Sequence, residues 1–346
     1  MNVTCPAPRS AWRELLAVDG EALVAQSPEW VDAVCAGGGY EDASRLYETT
    51  RGTRLVLPLV RRRGPWPKAF APRYSMPHAW GMGGLLADRP VRREDVAEVI
   101  ADLASGPALR TAIRPNPLHG GLWASAINGS GVAAIDRCAH VIDLDGGPDA
   151  VFKRFGRSAR AGVRKAERSG VEIECDSTGR LVPVFYELLE LSVRRWASQQ
   201  HEPLALAQWR ARRRDPLEKF VRIASALGDT LKVWVAWKDG VPAAAMLVLL
   251  GANASDTRGA MNKEIAGPTN ANDLLQWRAI EDACEAGCRS YHLGESGTSR
   301  SLAHFKEKFG ARPVPYSEYR IERLPLTRAE GLSRNLVKRT LRFRDA

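Results

Sequence analysis

Nowhere in the 346 residues do the ~18 consecutive apolar side chains of a membrane-spanning helix occur; the longest apolar run, Val241 to Gly251, is far shorter. Met1 to Ala11 lacks the basic patch and following apolar stretch of a secretory signal. The expectation is therefore a cytoplasmic protein without a membrane span. Cysteine is sparse and scattered: of the six, at 5, 35, 138, 175, 284 and 288, only Cys284 and Cys288 stand close, one helical turn apart. A structural zinc site needs a second ligand pair at short spacing, so no metal is expected and the thiols read as idle in a reducing compartment. Zinc-finger, helix-turn-helix and RNP-type signatures are missing, and no short-period repeat points to a solenoid or propeller. What is present, 45% hydrophobic and 26% charged residues, is the composition of a globular protein. The length suits two domains of about 150–170 residues each.

Fifty basic residues against forty acidic ones leave a formal charge of +10. That excess fits a polyanionic ligand such as tRNA, CoA or a nucleotide sugar, and its distribution is uneven. Between Lys153 and Arg168 the chain carries Lys153, Arg154, Arg157, Arg160, Arg164, Lys165 and Arg168, with Glu167 the only acid. On a helix, Lys153, Arg157, Arg160, Arg164 and Arg168 share one face, while Phe152, Phe155, Val163 and Ala166 fall largely elsewhere. Like charges one turn apart repel by about 0.2–0.5 kcal/mol per pair. Keeping so many together suggests an anion nearby, phosphate above all; the plainer alternative is a solvated basic face. A second cluster, Arg210, Arg212, Arg213 and Arg214, follows Trp209. A third, Arg334, Lys338 and Arg342, repeats every fourth residue beside Leu336, Val337 and Leu341 and reads as a docking helix.

Local signals give a mixed α/β pattern. Ser27-Pro28-Glu29-Trp30 is a helix start, with Ser27 as cap and Pro28 at the first helical position. Residues 45–60 read as a hairpin turning at Arg51-Gly52, 61–84 as a long ordered loop, 94–103 as a helix, and 109–113 and 140–144 as strands. Asp145-Gly146-Gly147-Pro148 marks a boundary. Beyond it come a helix from Pro148 to Ser169, a strand over 171–174 and a helix over 181–197. Residues 232–250 form a hairpin with Asp239-Gly240 at its turn, and a strand covers 255–262. A helix capped by Asn272 runs to Ala286 and is closed by Gly287. A strand over 290–293 leads into Gly294-Glu295-Ser296-Gly297, followed by a helix over 301–309 and a strand over 316–322.

Three segments together are recognisable: Arg164-Lys165-Ala166-Glu167-Arg168-Ser169-Gly170-Val171; Asn270-Ala271-Asn272-Asp273-Leu274-Leu275-Gln276-Trp277-Arg278-Ala279-Ile280 with Ala286-Gly287 and Tyr291-His292-Leu293-Gly294; and Phe305-Lys306-Glu307-Lys308-Phe309-Gly310-Ala311. In this order the chain resembles the Fem family of non-ribosomal peptidyl transferases and their GNAT-like relatives. The first lobe matches more loosely, through Ser27-Pro28-Glu29-Trp30, Leu57-Pro58-Leu59 and Ile113-Arg114-Pro115. The resemblance implies an α/β fold of two tandem GNAT-like, acyl-CoA N-acyltransferase-like lobes with mixed sheets and a cleft between them. The lobes would be residues 1–147 and the catalytic 148–324, with 325–346 a C-terminal helix packing back on the first lobe. Fem-type members move an aminoacyl group from charged tRNA to an amine of a peptidoglycan precursor; relatives in biosynthetic pathways act on small-molecule amines, and others are taken to use acyl-CoA. In the family's Phe-Lys-x-x-Phe-Gly segment the first lysine is implicated in catalysis, which here is Lys306.

An amine attacking an ester or thioester carbonyl must be aligned with it while the developing oxyanion is stabilised. A protonated Lys306 beside the carbonyl or the leaving oxygen would do the second. By position Glu295, just past a strand end, and Asp256 are candidates for the base that takes the ammonium proton, while His292 reads as a packed strand residue. The donor's phosphates would fall to Lys153, Arg157, Arg160, Arg164, Lys165, Arg168 and Lys308. The aromatic loop offers Trp66, Tyr74, His78 and Trp80 for the acceptor, loop packing being the alternative. GNAT enzymes that use acyl-CoA usually hold its pyrophosphate on an Arg/Gln-x-x-Gly-x-Gly/Ala turn opening a helix, and no glycine here sits in such a turn. The expectation is amide formation from aminoacyl-tRNA, with tRNA a partner and substrate and no cofactor. An acyl-CoA-dependent N-acyltransferase, a non-catalytic nucleic-acid-binding module and a silent relative that keeps the fold remain the alternatives.

Overall fold

The computed structural model describes residues 1–332; of the expected tail helix 326–332 are helical, and the part with Arg334, Lys338 and Arg342 lies outside the described residues. Two compact units make up the described residues: Met1–Ala139 together with 314–332, and His140–Pro313.

The first unit contains β1 (Asn2–Thr4), α1 (Arg9–Val18), α2 (Pro28–Ala36), β2 (Tyr40–Asp42), β3 (Arg45–Glu48), β4 (Arg54–Leu57), β5 (Val60–Arg62), β6 (Arg73–Ser75), β7 (Leu86–Ala87), α3 (Arg93–Ser105), β8 (Arg110–Ile113), α4 (Gly120–Ile127) and the start of β9 (Ala133–Asp143). Strands β1, β3, β4 and β7 pair antiparallel in that order. A second row runs β2-β5-β6-β8, with β6 and β8 parallel. Ser27 caps α2 as its sequence requires, its Oγ accepting the Trp30 N–H at 3.1 Å. The stretch 61–84, expected to be a loop throughout, contributes the end of β5 and all of β6. Tyr47, Leu55, Leu57, Leu59, Val99, Ile113 and Trp123 form the core, Trp123 stacking on Tyr319 with centroids 5.8 Å apart.

In the second unit come α5 (Gly147–Arg154), α6 (Arg157–Arg168), β10 (Val171–Asp176), α7 (Val182–Gln199), α8 (Leu204–Arg214), α9 (Leu217–Leu227), β11 (Leu231–Lys238), β12 (Val241–Leu250), β13 (Ala254–Met261), α10 (Lys263–Thr269), α11 (Ala271–Glu285), β14 (Ser290–Glu295), α12 (Arg300–Glu307) and the start of β15 (Arg312–Glu322). Further on, β15 belongs to the first unit, where Tyr319–Glu322 pair antiparallel with β8. Strands β10 to β13 are antiparallel neighbours, and β14 joins β13 in parallel. At the β11–β12 turn, Asp239 (φ 50) and Gly240 (φ 74) both adopt the left-handed conformation such a hairpin demands. The division into units falls inside β9 rather than at the Gly146–Gly147 turn. Glycines mark where the chain bends, whereas Ile142 and Leu144 before them already pack in the second unit's core.

Two expectations are corrected. The single helix over 148–169 is two helices, α5 and α6, because Phe155 and Gly156 leave the helical path. Phe155 turns inward to meet Trp277 and Phe309 edge-on, at 5.3 and 5.2 Å between centroids, and the Gly156 N–H donates to the Lys308 carbonyl at 2.7 Å. Helix α11 starts after Asn270 (φ 57), so Asn272 lies within its first turn and is not the cap. Leu274, Leu275, Ala279, Ile280 and Ala283 of α11 fill the core with Ala244, Met246, Val248, Tyr291 and Phe309.

Helix α6 packs on α11 at Gly162, where a Cβ atom would stand 2.0 Å from Asp273 Oδ2. Gly162→Ala is therefore expected to lose about 1–3 kcal/mol through overpacking, read as a lower denaturation midpoint; an unchanged midpoint would refute this close approach.

Candidate active site

The site grows from the parallel pair at the centre of the second unit. Strands β13 and β14 are in register only at Ala254↔Tyr291 and Ser255↔His292, although β13 continues to Met261 and β14 to Glu295. On its other edge β13 follows β12 as far as Ala244↔Met261. The register there slips, Leu247 facing Arg258 and Val248 facing Asp256, so that Thr257 is an extra residue. The bulge turns β13 just where it leaves β14, and Asp256 stands at the root of the fork.

Lys306 approaches from α12. Ser299 caps that helix, its Oγ accepting the Leu302 N–H, and the rings of Phe305 and Phe309, 5.2 Å apart, fix its far end in the core. Only 6% of Lys306 is exposed, and its Nζ donates to the carbonyls of Gly294 at 3.0 Å and Glu295 at 2.7 Å. Gly294 is left-handed (φ 69), a conformation that a side chain would strain. The end of β14 thus serves as a socket for an ammonium group.

Two ionisable groups feel that cation. Asp256 Oδ1 accepts from the Tyr291 hydroxyl at 2.5 Å. Burial lifts the Asp256 carboxyl to about 6, against the opposing pull of Tyr291, Lys306 and Gln276. His140, from β9, is 3% exposed, with Nδ1 3.2 Å from Ser296 Oγ and Nε2 3.7 Å from a carboxylate oxygen of Glu307. Burial first, and the Lys306 charge second, push the imidazole below its usual range, so it is neutral at neutral pH. Glu295, half-buried at the strand end, supplies a carbonyl to Lys306. An ammonium in a socket, flanked by a carboxyl titrating near 6, suits the transfer of a proton and the stabilisation of a developing oxyanion. Sequence reasoning passed over His140 and Ser296 because they are 156 positions apart and neither lies in a distinctive motif.

The expected donor-binding cations divide. On α6, Ala159, Gly162, Val163 and Ala166 are buried, whereas Arg157, Arg164, Lys165 and Arg168 are exposed and Arg160 half-exposed. Lys153 is exposed on the separate helix α5. Among the described residues these six side chains make no ion pair or side-chain hydrogen bond, and Glu167 is engaged with Arg278. Lys308 is different. Its Nζ lies 2.7 Å from both carboxylate oxygens of Asp273 and over the rings of Phe305 and Phe309 at 4.8 and 5.3 Å, so it is bound inside the unit rather than on the basic face. Asp273 is buried in the first turn of α11, so a carboxylate already occupies that helix N-terminus. The Arg210–Arg214 cluster is largely paired: Arg210 with Glu202, Arg212 with Glu190, Arg214 with Asp215. Asp215, buried among Arg258, Lys219 and Arg214, is held well below the usual carboxylate range, and burial takes Lys219 down to about 8.

The four aromatic candidates for the acceptor have different surroundings. Trp80 is buried edge-on against Trp30, and its carbonyl accepts the Trp30 indole N–H at 3.0 Å, which makes it core rather than a contact surface. Tyr74 meets Tyr40, Trp66 lies against Arg62, and His78 is exposed. All four belong to the first unit.

Residues 153–307 match the model of the acetyltransferase (GNAT) domain. No curated protein matches the sequence. Among solved structures, FemX is similar with a TM-score of 0.69 and 13% identity, over 93% of this chain and 97% of that one. A conserved protein of unknown function from Bacteroides thetaiotaomicron is similar with a TM-score of 0.56 and 8% identity, over 92% and 99%. The C-terminal domain of a putative lysylphosphatidylglycerol synthetase from Agrobacterium fabrum gives 0.51 and 14%, over 90% and 91%. The fold is thus mixed α/β and GNAT-like over about 93% of the chain, and the second unit carries an acyltransferase domain of the GNAT type.

The raised carboxyl sets a pH test. Asp256 titrates near 6 in the folded protein against 3.8 ordinarily, so its contribution to stability is present below about 4 and lost as the pH rises through 6. Asp256→Asn should gain on the wild type by on the order of 1–3 kcal/mol between pH 4.5 and 7.5, measured by urea denaturation at each pH; a constant difference would remove the buried charge from the site.

Proposed function

We propose that this protein is a cytoplasmic N-acyltransferase that forms an amide by moving an aminoacyl group from aminoacyl-tRNA to the amine of a small molecule or peptide precursor. The observation that carries the donor assignment is the row of cations along α6, which meet no acid among the described residues. Unpaired cations at one-turn spacing are what a phosphodiester backbone would neutralise. The N-terminus of α11 supports the same reading. A diphosphate there would have to displace the Asp273 carboxylate and break its contact with Lys308. Lys306 supplies positive charge to the carbonyl oxygen or the leaving ribose oxygen, and Asp256 or Glu295 takes the ammonium proton. Acyl-CoA as donor is the second reading, favoured by the acetyltransferase domain model over 153–307.

Charged tRNA and acyl-CoAs, offered separately with a panel of amines, distinguish the two. Amine-stimulated, RNase-sensitive deacylation is expected, and product from CoA thioesters without RNA would overturn the tRNA donor. Arg160→Glu with Arg164→Glu should weaken donor binding steeply, and wild-type affinity should fall with salt; a salt-independent affinity would return α6 to a merely solvated face. Lys306→Met should lower turnover at least tenfold, about 1.4 kcal/mol of barrier, and full activity in that variant would remove Lys306 from the site.

A further inference from the structure

Forming an amide from an ammonium and an ester releases one proton overall. The nitrogen loses one proton before its lone pair attacks; the C–O bond of the ester then breaks, and the leaving oxygen takes the nitrogen's second proton. The first must reach solvent from a site whose principal cation is only 6% exposed. Resting on the acyl-transfer reading, we propose that Ser296, His140 and Glu307 form a relay that carries this proton from the reaction site at Lys306 to the surface.

The geometry runs in one direction. Ser296 follows directly on Glu295, whose carbonyl holds the Lys306 ammonium, and the charge of that ammonium reaches the His140 ring. The Ser296 hydroxyl lies 3.2 Å from His140 Nδ1. When Nδ1 accepts, Nε2 carries the ring hydrogen, and Nε2 has no hydrogen-bond partner among the described residues despite being buried. The carboxylate of Glu307 stands 3.7 Å beyond it and is 47% exposed. As Ser296 takes the proton that Asp256 or Glu295 has drawn from the ammonium, it passes its own to Nδ1; the imidazolium so formed attracts Glu307 across the remaining gap and gives up the Nε2 hydrogen to it and to water. The charges facing the ring are Lys306 and Glu307, both from α12. Lys306 disfavours the imidazolium, so the proton does not lodge there, and Glu307 draws it outward.

A buried histidine and serine could also serve packing alone, and the test separates the two roles. The imidazole signal of His140 in the intact protein, assigned by its loss in His140→Gln, should titrate reversibly below the ordinary histidine range and shift in Glu307→Gln. A ring that stays neutral down to pH 4, or is unmoved by Glu307→Gln, overturns the relay whatever the donor proves to be. In the amine-stimulated deacylation assay, His140→Gln should slow turnover by about a hundredfold, flatten the acid limb of the pH profile and recover partly with added imidazole. A folded His140→Gln protein with the wild-type rate and profile, alongside an inactive Lys306→Met, would sink the relay while leaving acyl transfer standing.

Discussion

A lysine ammonium can be held away from water only if oxygen atoms replace its hydration. Here the carbonyls of Gly294 and Glu295 do so, and the arrangement depends on several distant choices. Gly294 must be left-handed for the chain to turn its carbonyl toward Nζ. Phe309, fully buried, must anchor α12 so that Lys306 arrives at the end of β14 rather than in solvent. The strands β13 and β14 must part after Ser255 and His292, which the bulge at Thr257 promotes. Removal of any of these displaces the cation whose field opposes the burial-driven rise of Asp256 and adds to the burial that lowers His140.

Charge placement elsewhere follows a contrasting rule. The arginines from 210 to 214 look on paper as anion-seeking as those of α6, yet most find carboxylates, and Asp215 alone draws in Arg214, Lys219 and Arg258. Such a buried cluster is structural, since breaking one partner strands the others. On α6 the small side chains Ala159, Gly162 and Ala166 bring the helix close to its support, and the cations on the other side stay exposed without an acid partner among the described residues.

Much of the fold was legible because its signals are local. Ser27 before Pro28 capped a helix, Asp239-Gly240 turned a hairpin, and the Phe305–Gly310 segment placed Lys306. Features that were not legible depend on contacts distant in sequence. Phe155 reads as one more helical residue until Trp277 and Phe309 pull it inward. Lys308 reads as a free cation until Asp273, 35 residues earlier, claims it. Trp80 resembles a ligand-facing ring until Trp30 packs against it, and the His140–Ser296 pair has no local trace at all.

The break between α5 and α6 has a counterpart at the end of α12. A side chain at Gly156 would crowd the Lys308 carbonyl at 3.3 Å, and one at Gly310 would crowd the Arg154 carbonyl at 3.4 Å. The two bends clasp each other, backbone against backbone, and so join the basic segment to the lysine-bearing one. Sequence drift at either glycine is felt at both, which makes the pair non-additive and ties the placement of the basic helix to that of the Lys306 ammonium.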